Sequence, residues 1–338
     1  MAAEDRPARR KVTLMDVASR AGVSKMTASR VFAHPEAVRP ETRARVAAAA
    51  QALGYRPNLL ARGLTTRNAG LVVVLVPELR NAVYAEVVAG IQDSVQALGL
   101  QTMVTATGFD PEAEEAALRT LSGWNPAAFV LAGPERSAGT RAFLTSLPTP
   151  VIEVMELPER PIGYAVGFSH QDAGAAAADC LIDRGCRSLA AATANPQDTR
   201  ASRRLAGFVA RARARGHSAV HCCDSPAVSS FGLGGELAAR ILDEAPKTDG
   251  IFMANDILAL GAMMHLRERG VAVPDEVAVI GFNDLALATL VPGGLSTIRS
   301  PRYDIGLCAG GLIGALLRDE EPVRVQDTGF SLVRRATA

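Results

Sequence analysis

From Ala69 to Asp284 the chain repeats one pattern, a short apolar run followed by a helical stretch. The runs are "GLVVVLV", "QTMVTAT", "AAFVLAG", "PVIEVM", "YAVGFS", "SLAAATA", "SAVHCC", "GIFMAN" and "VAVIGFND". Helical stretches such as "NAVYAEVVAGIQDSVQALG" and "DILALGAMMHLRERG" separate many of them. Continuous apolar runs suit strands buried on both faces, and their alternation with helices gives parallel sheets covered by helices. Nine strands are too many for one modest sheet, so two α/β subdomains are expected. In such folds ligands bind in the crevice at the carboxyl ends of the strands.

Polar residues at those ends are therefore the candidate ligand contacts. Asn255 and Asp256 follow "GIFMA", Asn283 and Asp284 close "VAVIGFND", Glu153 lies in "PVIEVM" and Phe168 in "YAVGFS". "TANPQDTRASRRLAGF" sets Arg200 and Arg204 four residues apart, on one helix face. Polyols call for bidentate carboxamides and carboxylates, and a ligand carboxylate calls for arginine. Each residue also has a plainer reading. Asn255 and Asp256 can cap the next helix, and Arg200 can be a surface charge.

The first 67 residues differ in kind. They carry a net charge of +8, against −7 for the remainder, the pattern of a chain that meets a polyanion at one end. In "VTLMDVASRAGVSKMTASRVF", Thr13 and Asp16 form a capping-box pair that starts a helix near Leu14. Gly22 sits at a tight turn, and Ser24 can cap a second helix, "KMTASRVF". A third helix, from about Pro40 to Leu53, opens on proline and stops at Gly54. Helix, glycine turn, helix is the helix-turn-helix arrangement, whose second helix enters the DNA major groove. Lys25, Met26 and Arg30 are expected to face base edges, with Arg30 bidentate to guanine and Met26 against a thymine methyl. Thr13, Ser24, Thr27 and Ser29 are hydroxyls suited to phosphates.

"TLMDVASRAGVSKMTASRVF" and "RPETRARVAAAAQALGYRPNLLARGL" resemble the N-terminal region of the lactose-repressor (LacI/GalR) family. Arg39 departs from the family's usual serine before the third helix, and "AHPEAV" lengthens the preceding turn. The body is similar to the family's periplasmic-binding-protein-like effector domain, most plainly in "GIFMANDILALGAMMHLRERGVAVPDEVAVIGFND". The resemblance implies effector contacts at Glu153, Phe168, Arg204, Asn255 and Asn283, to which Tyr84 and Arg200 are added. "NAVYAEVVAGIQ", "LSGWNPAAFVL" and "PVIEVMELPERPIGYAVGF" resemble the gluconate-repressor branch, implying a sugar acid such as gluconate or a phosphorylated relative.

The expected fold is thus α + α/β: a disordered basic tail (1–11), a three-helix head (12–56), a hinge helix (57–68) and an effector and dimerisation body (69–338). The first subdomain would hold about 69–167 and 299–324, the second about 168–298 and 325–338. In the hinge, "NLLARGL" is too short to be helical alone in water. The resemblance implies that it orders in the minor groove, with Leu64 wedged into a base step and Asn58 and Arg62 at phosphates. The implied partners are double-stranded operator DNA, a small sugar-acid effector, and a second copy of the chain in a homodimer or a tetramer. A solute-binding module and a corepressor-dependent regulator are the alternatives.

No catalytic constellation is expected. The chain has no GxSxG and no GKS/T, and its five histidines are scattered. The five cysteines lack CxxC or zinc spacing, and "HCC" at 221–223 lacks ligand partners nearby, so neither metal nor other cofactor is expected. With no apolar run approaching the ~20 residues of a membrane span and no signal-peptide pattern, the expected location is cytoplasmic and nucleoid-associated.

Overall fold

The computed structural model describes residues 12–33, 35–56, 69–133 and 136–338. The expected tail and hinge, including Asn58, Arg62 and Leu64, lie outside the described residues. The chain divides into two compact units, residues 1–69 and 70–338.

In the first unit α1 (Leu14–Ala21), α2 (Lys25–Ala33) and α3 (Pro40–Leu53) enclose a small core of Val17, Ala18, Ala21, Ala28, Val31, Val46, Ala49 and Ala50. Alanines let the helices approach closely, and the three valines fill the space left. The α1 cap forms as expected, with the Thr13 side chain accepting from the Asp16 amide and the Asp16 side chain accepting from the Thr13 amide. Gly22 ends α1 at φ 61°, a left-handed conformation in which a β-carbon is penalised. Arg45 on α3 then donates from Nη2 to the Ala21 and Gly22 carbonyls, at 2.8 and 3.2 Å, and fixes the turn. Arg39 provides no side-chain cap for α3, the cost of its departure from serine.

The second unit holds two six-stranded sheets. The first contains β1 (Leu71–Val76), β2 (Gln101–Ala106), β3 (Ala128–Leu131), β4 (Val151–Val154), β5 (Tyr164–Gly167) and β11 (Val325–Asp327), in the order β11-β5-β4-β3-β1-β2. All its pairings are parallel. The second contains β6 (Leu189–Ala194), β7 (Val220–Ser225), β8 (Gly250–Met253), β9 (Ala278–Asn283), β10 (Ser296–Arg299) and β12 (Ser331–Val333), in the order β12-β10-β9-β8-β6-β7. Only β12 there is antiparallel, at the edge beside β10. The first subdomain's helices are α4 (Ala82–Gln96), α5 (Pro111–Ser122), α6 (Ala138–Ser146) and α11 (Arg302–Leu317). The second's are α7 (His170–Arg184), α8 (Thr199–Ala214), α9 (Phe231–Glu244) and α10 (Asp256–Glu268).

The nine expected strands all form. Three more, β10, β11 and β12, lie where no apolar run marked them. They also move a boundary. Val325–Asp327 pairs with β5, so this strand belongs to the first subdomain, and the chain returns to the second after residue 327 rather than after 324. In all the chain passes between subdomains three times, after β5, β10 and β11.

Both sheets reverse direction of winding at their first strand, β2-β1-β3 in one and β7-β6-β8 in the other. The crevice at such a reversal is where open α/β sheets bind ligands. The segments leaving β1 and β6 therefore mark the site.

Candidate functional site

The cleft between the subdomains contains a cavity of about 1060 Å³. Residues 78–84, following β1, line one side, and Asn195, Asp198, Arg200 and Arg204, following β6, line the other. Asn255 and Asn283 reach it from the ends of β8 and β9. Tyr84, Arg200, Arg204, Asn255 and Asn283, of the seven expected effector contacts, thus meet in one place.

The other two do not. Glu153 lines a separate cavity of about 670 Å³ and is held by Arg136 Nη1 at 3.2 Å and by the Ile162 amide at 2.7 Å. Phe168 is fully buried, borders that second cavity, and lies against the rings of His170 and Phe282 at centroid separations of 4.6 and 6.1 Å. Glu153, on β4, is drawn aside by the Arg136 ion pair of its own subdomain, whereas Phe168, just after β5, packs behind His170 and Phe282, which themselves line the large cavity.

The floor of the large cavity is a buried cationic pair. Arg200 and Arg204 are each 5% exposed. Arg204 spends Nε on the Ala254 carbonyl at 3.2 Å and Nη1 on His170 Nδ1 at 3.0 Å, and its guanidinium lies 4.0 Å from the centre of the Phe282 ring. Burial pulls its pKa down to about 10. Arg200 crosses the cleft and donates from Nη2 to Tyr84 Oη at 2.6 Å, while its buried Nη1 has no partner. Burial pushes the Tyr84 phenol up to about 12, so it remains a neutral acceptor. Among the described residues, the carboxylate paired with both guanidinia is Asp198, at 3.7 Å from Arg200 and 4.0 Å from Arg204. Two buried positive charges thus share one negative charge, at the long end of ion-pair distance. An unbalanced buried charge costs several kcal/mol unless something neutralises it.

Asn255 and Asn283 are shaped by their strand ends. Asn255 caps α10 through its Oδ1, accepting from the Leu258 amide at 2.9 Å, and its Nδ2 donates to Ser229 Oγ at 2.8 Å. The capping reading and the lining reading therefore both hold. Asn283 takes φ 113° and Asp284 φ 54°, strained values that turn the backbone into the cavity wall. Asp256, fully buried, holds this corner by accepting from the Leu285 amide at 2.7 Å and the Thr297 hydroxyl at 2.6 Å.

His170 and Asp198 were not among the expected residues. His170 begins α7 beneath the Ser169 cap, a position whose local signal is only a helix start. Its Nε2 donates to the Met155 carbonyl at 2.8 Å, which leaves Nδ1 to accept from Arg204. Burial first, then the two arginines, hold its pKa well below 6.5. The folded protein keeps this ring neutral while the unfolded chain protonates below about pH 6.5, so stability falls as pH drops through that value. Between about pH 6.5 and 5 the unfolding free energy of the wild type should fall more steeply than that of His170→Gln, by up to about 1.4 kcal/mol per pH unit. Equal slopes in denaturant titrations would mean that the folded ring is already charged.

In the head, Ser24 Oγ accepts from the Thr27 amide at 3.1 Å and lies 2.9 Å from Thr27 Oγ1. Lys25, Met26, Ser29 and Arg30 are exposed on the same turn and a half, Met26 to 72%, while Ala28 and Val31 face the core. The expected readers thus form one exposed face. The Thr13 hydroxyl lies 2.7 Å from Asp16 Oδ2, so a phosphate there competes with an existing bond.

The description "bacterial regulatory proteins, lacI family" matches residues 13–58, and "periplasmic binding protein-like domain" matches residues 178–338. The regulator GntR of Pseudomonas aeruginosa is 37% identical, over 96% of this chain and 94% of its own length. The chain belongs to the lacI family of bacterial regulatory proteins. It is a DNA-binding transcriptional regulator rather than an enzyme. A lacI-family regulator from Silicibacter pomeroyi has the same fold, with a TM-score of 0.89 and 33% identity, covering 96% of this chain and 99% of that one. The lac repressor dimer bound to operator and an anti-inducer superposes with a TM-score of 0.86 at 26% identity, covering 97% of this chain and 99% of that one. Among the described residues of this lacI-family regulator, no helix is long and apolar enough to cross a membrane.

Proposed function

We propose that this regulator represses genes of sugar-acid metabolism and leaves a pseudo-palindromic operator when a small anionic sugar derivative enters the cleft. The observation that carries the proposal is the Arg200–Arg204 pair, buried, under-neutralised and lining the cavity beside two carboxamides. A carboxylate or phosphate supplies the missing charge, and hydroxyls suit Asn255, Asn283 and Ser229. A neutral saccharide can accept from Arg200 Nη1 but brings no negative charge to the buried pair. The resemblance of "PVIEVMELPERPIGYAVGF" to the gluconate-repressor branch favours the same ligand class.

The effector acts through a difference in affinity between two closure states of the cleft, and cannot shift the equilibrium by more than that difference, typically ~1–3 kcal/mol. Two chains paired through their bodies present two heads to half-sites about one helical turn apart. A second copy is the partner we favour because the related lac repressor is a dimer on its operator. Lys25, Met26 and Arg30 read bases, and Ser24, Thr27 and Ser29 face phosphates. Calorimetry against gluconate, phosphogluconate and their neutral polyol counterparts tests the ligand class. Binding of the neutral compounds as tightly as the acids would overturn it.

Arg30→Ala tests the reading head. The side chain is exposed on α2 and packs on nothing in the core, so its loss leaves the head folded. Operator affinity should fall by about 1–3 kcal/mol, with base preference relaxed at one position of each half-site. A selection experiment that returns the wild-type site unchanged would remove Arg30 from the reading set.

A further inference from the structure

The edge of the second sheet carries a cluster that the regulator function does not use. His221 and Cys223 are two residues apart on β7, and therefore share a face. Glu244, the last residue of α9, returns to the same point. His221 Nε2 lies 3.3 Å from Cys223 Sγ and 3.1 Å from Glu244 Oε2, and the three donor atoms are all within 4.8 Å of one another. A neutral imidazole can give one proton to only one of these two acceptors. Three atoms that can each offer a lone pair thus converge, with the Cys223 S–H and the imidazole N–H as the protons they bring. The charge that answers them now is the Arg240 guanidinium, its Nε 3.3 Å from Cys223 Sγ and 3.6 Å from Glu244 Oε1. That side chain is 42% exposed, and its Nη1 donates to the Asp224 carbonyl at 3.2 Å, a bond it can keep or exchange for water as Nε leaves the cluster.

We propose that His221 Nε2, Cys223 Sγ and the Glu244 carboxylate bind a zinc-class divalent cation, with Arg240 as the group the ion displaces. Nitrogen, thiolate and carboxylate together suit zinc, which binds them at about 2.0–2.3 Å in a tetrahedron. Donor atoms on the edges of such a tetrahedron stand roughly 3.3–3.5 Å apart. Two of the three edges, observed at 3.1 and 3.3 Å, reach that with shifts of about 0.2 Å, and the third, between Cys223 Sγ and Glu244, lies within 4.8 Å and closes by a rotation of the half-exposed Glu244 side chain. Water fills the fourth position, since His221 and Glu244 are 28% and 51% exposed. On binding, the Cys223 thiol releases one proton to solvent, and a metal–sulfur bond replaces the Arg240 contact. Cys222 has no part in the set, because adjacent strand residues point to opposite faces. The sequence hid the site because its third ligand comes from α9, across the strand–helix contact. The ion would brace β7, an edge strand, whose carboxyl end leads to the cavity-lining residues Val228–Phe231.

Cobalt(II) titration of the reduced, full-length protein tests this, because a cobalt–thiolate bond gives a charge-transfer band and four-coordination gives intense visible bands. The expected result is one equivalent bound per chain and competed off by zinc. Cys222→Ser should leave the spectrum unchanged, and His221→Gln and Cys223→Ser should lose it. Arg240→Ala should bind severalfold more tightly, since a like charge has been removed. The His221→Gln variant, at a partly exposed position, keeps the test valid should Cys223→Ser unfold. A wild type without the band, or a band that survives in His221→Gln or vanishes in Cys222→Ser, would overturn the proposal.

Discussion

Arg204→Ala should abolish the effector response while leaving operator binding at its wild-type strength. The guanidinium is buried, fixed by bonds to His170 and the Ala254 carbonyl, and stacked on Phe282, so it stands preorganised in the cavity wall. Truncating one partner of a buried charge pair costs about 2–5 kcal/mol, or roughly 30- to several-thousand-fold in effector affinity. The head is a separate compact unit with its own core, and so keeps its fold. Calorimetry measures the first effect and a gel shift without ligand the second. Arg204→Lys should fall between, because it keeps charge but loses the planar fork. An alanine variant that still leaves DNA at the wild-type ligand concentration would remove Arg204 from the site.

The second large effect is expected at the α7–α8 contact, which supports the cavity wall from behind. A β-carbon at Gly207 would stand 2.0 Å from the Gln171 carbonyl oxygen, and one at Gly174 would stand 1.9 Å from the carbonyl oxygen of Arg204. Both obstacles are backbone, so no rotamer can relieve them. The helices must separate, which costs about 1–3 kcal/mol or more per substitution. For a unit of this size each kcal/mol lowers the melting temperature by about 2–4 °C. Gly207→Ala should therefore melt several degrees early. Gly174→Ala should do so and also weaken effector binding, because it pushes on Arg204 itself. Unchanged melting of both would mean that the helices are not in this contact.

The sequence exposes most of this architecture, for identifiable reasons. The central strands are apolar on both faces and need no partner to be recognised, and Thr13, Gly22, Pro40 and Gly54 punctuate the head locally. β10, β11 and β12 are three or four residues long and mixed in polarity, so only their distant partners make them strands. The cavity residues are legible where strand register fixes their direction, as at Asn255 and Asn283. The same logic fails at Glu153, because what it faces depends on Arg136, seventeen residues away in the chain. His170 and Asp198 act by touching Arg204 and Arg200, a relation that spacing does not encode.

The threefold passage of the chain between subdomains fixes the order in which the body can be completed during synthesis. The first subdomain starts first but finishes late, since β11 and α11 leave the ribosome only after the whole second sheet except β12. Until then the α4 face bearing Val87, Gly90 and Ile91 lacks the helix whose Gly306 packs against it. The nascent first half therefore carries an uncovered apolar groove and an open sheet edge at β5, a natural client for a chaperone and a hazard for mispairing with a neighbouring nascent copy.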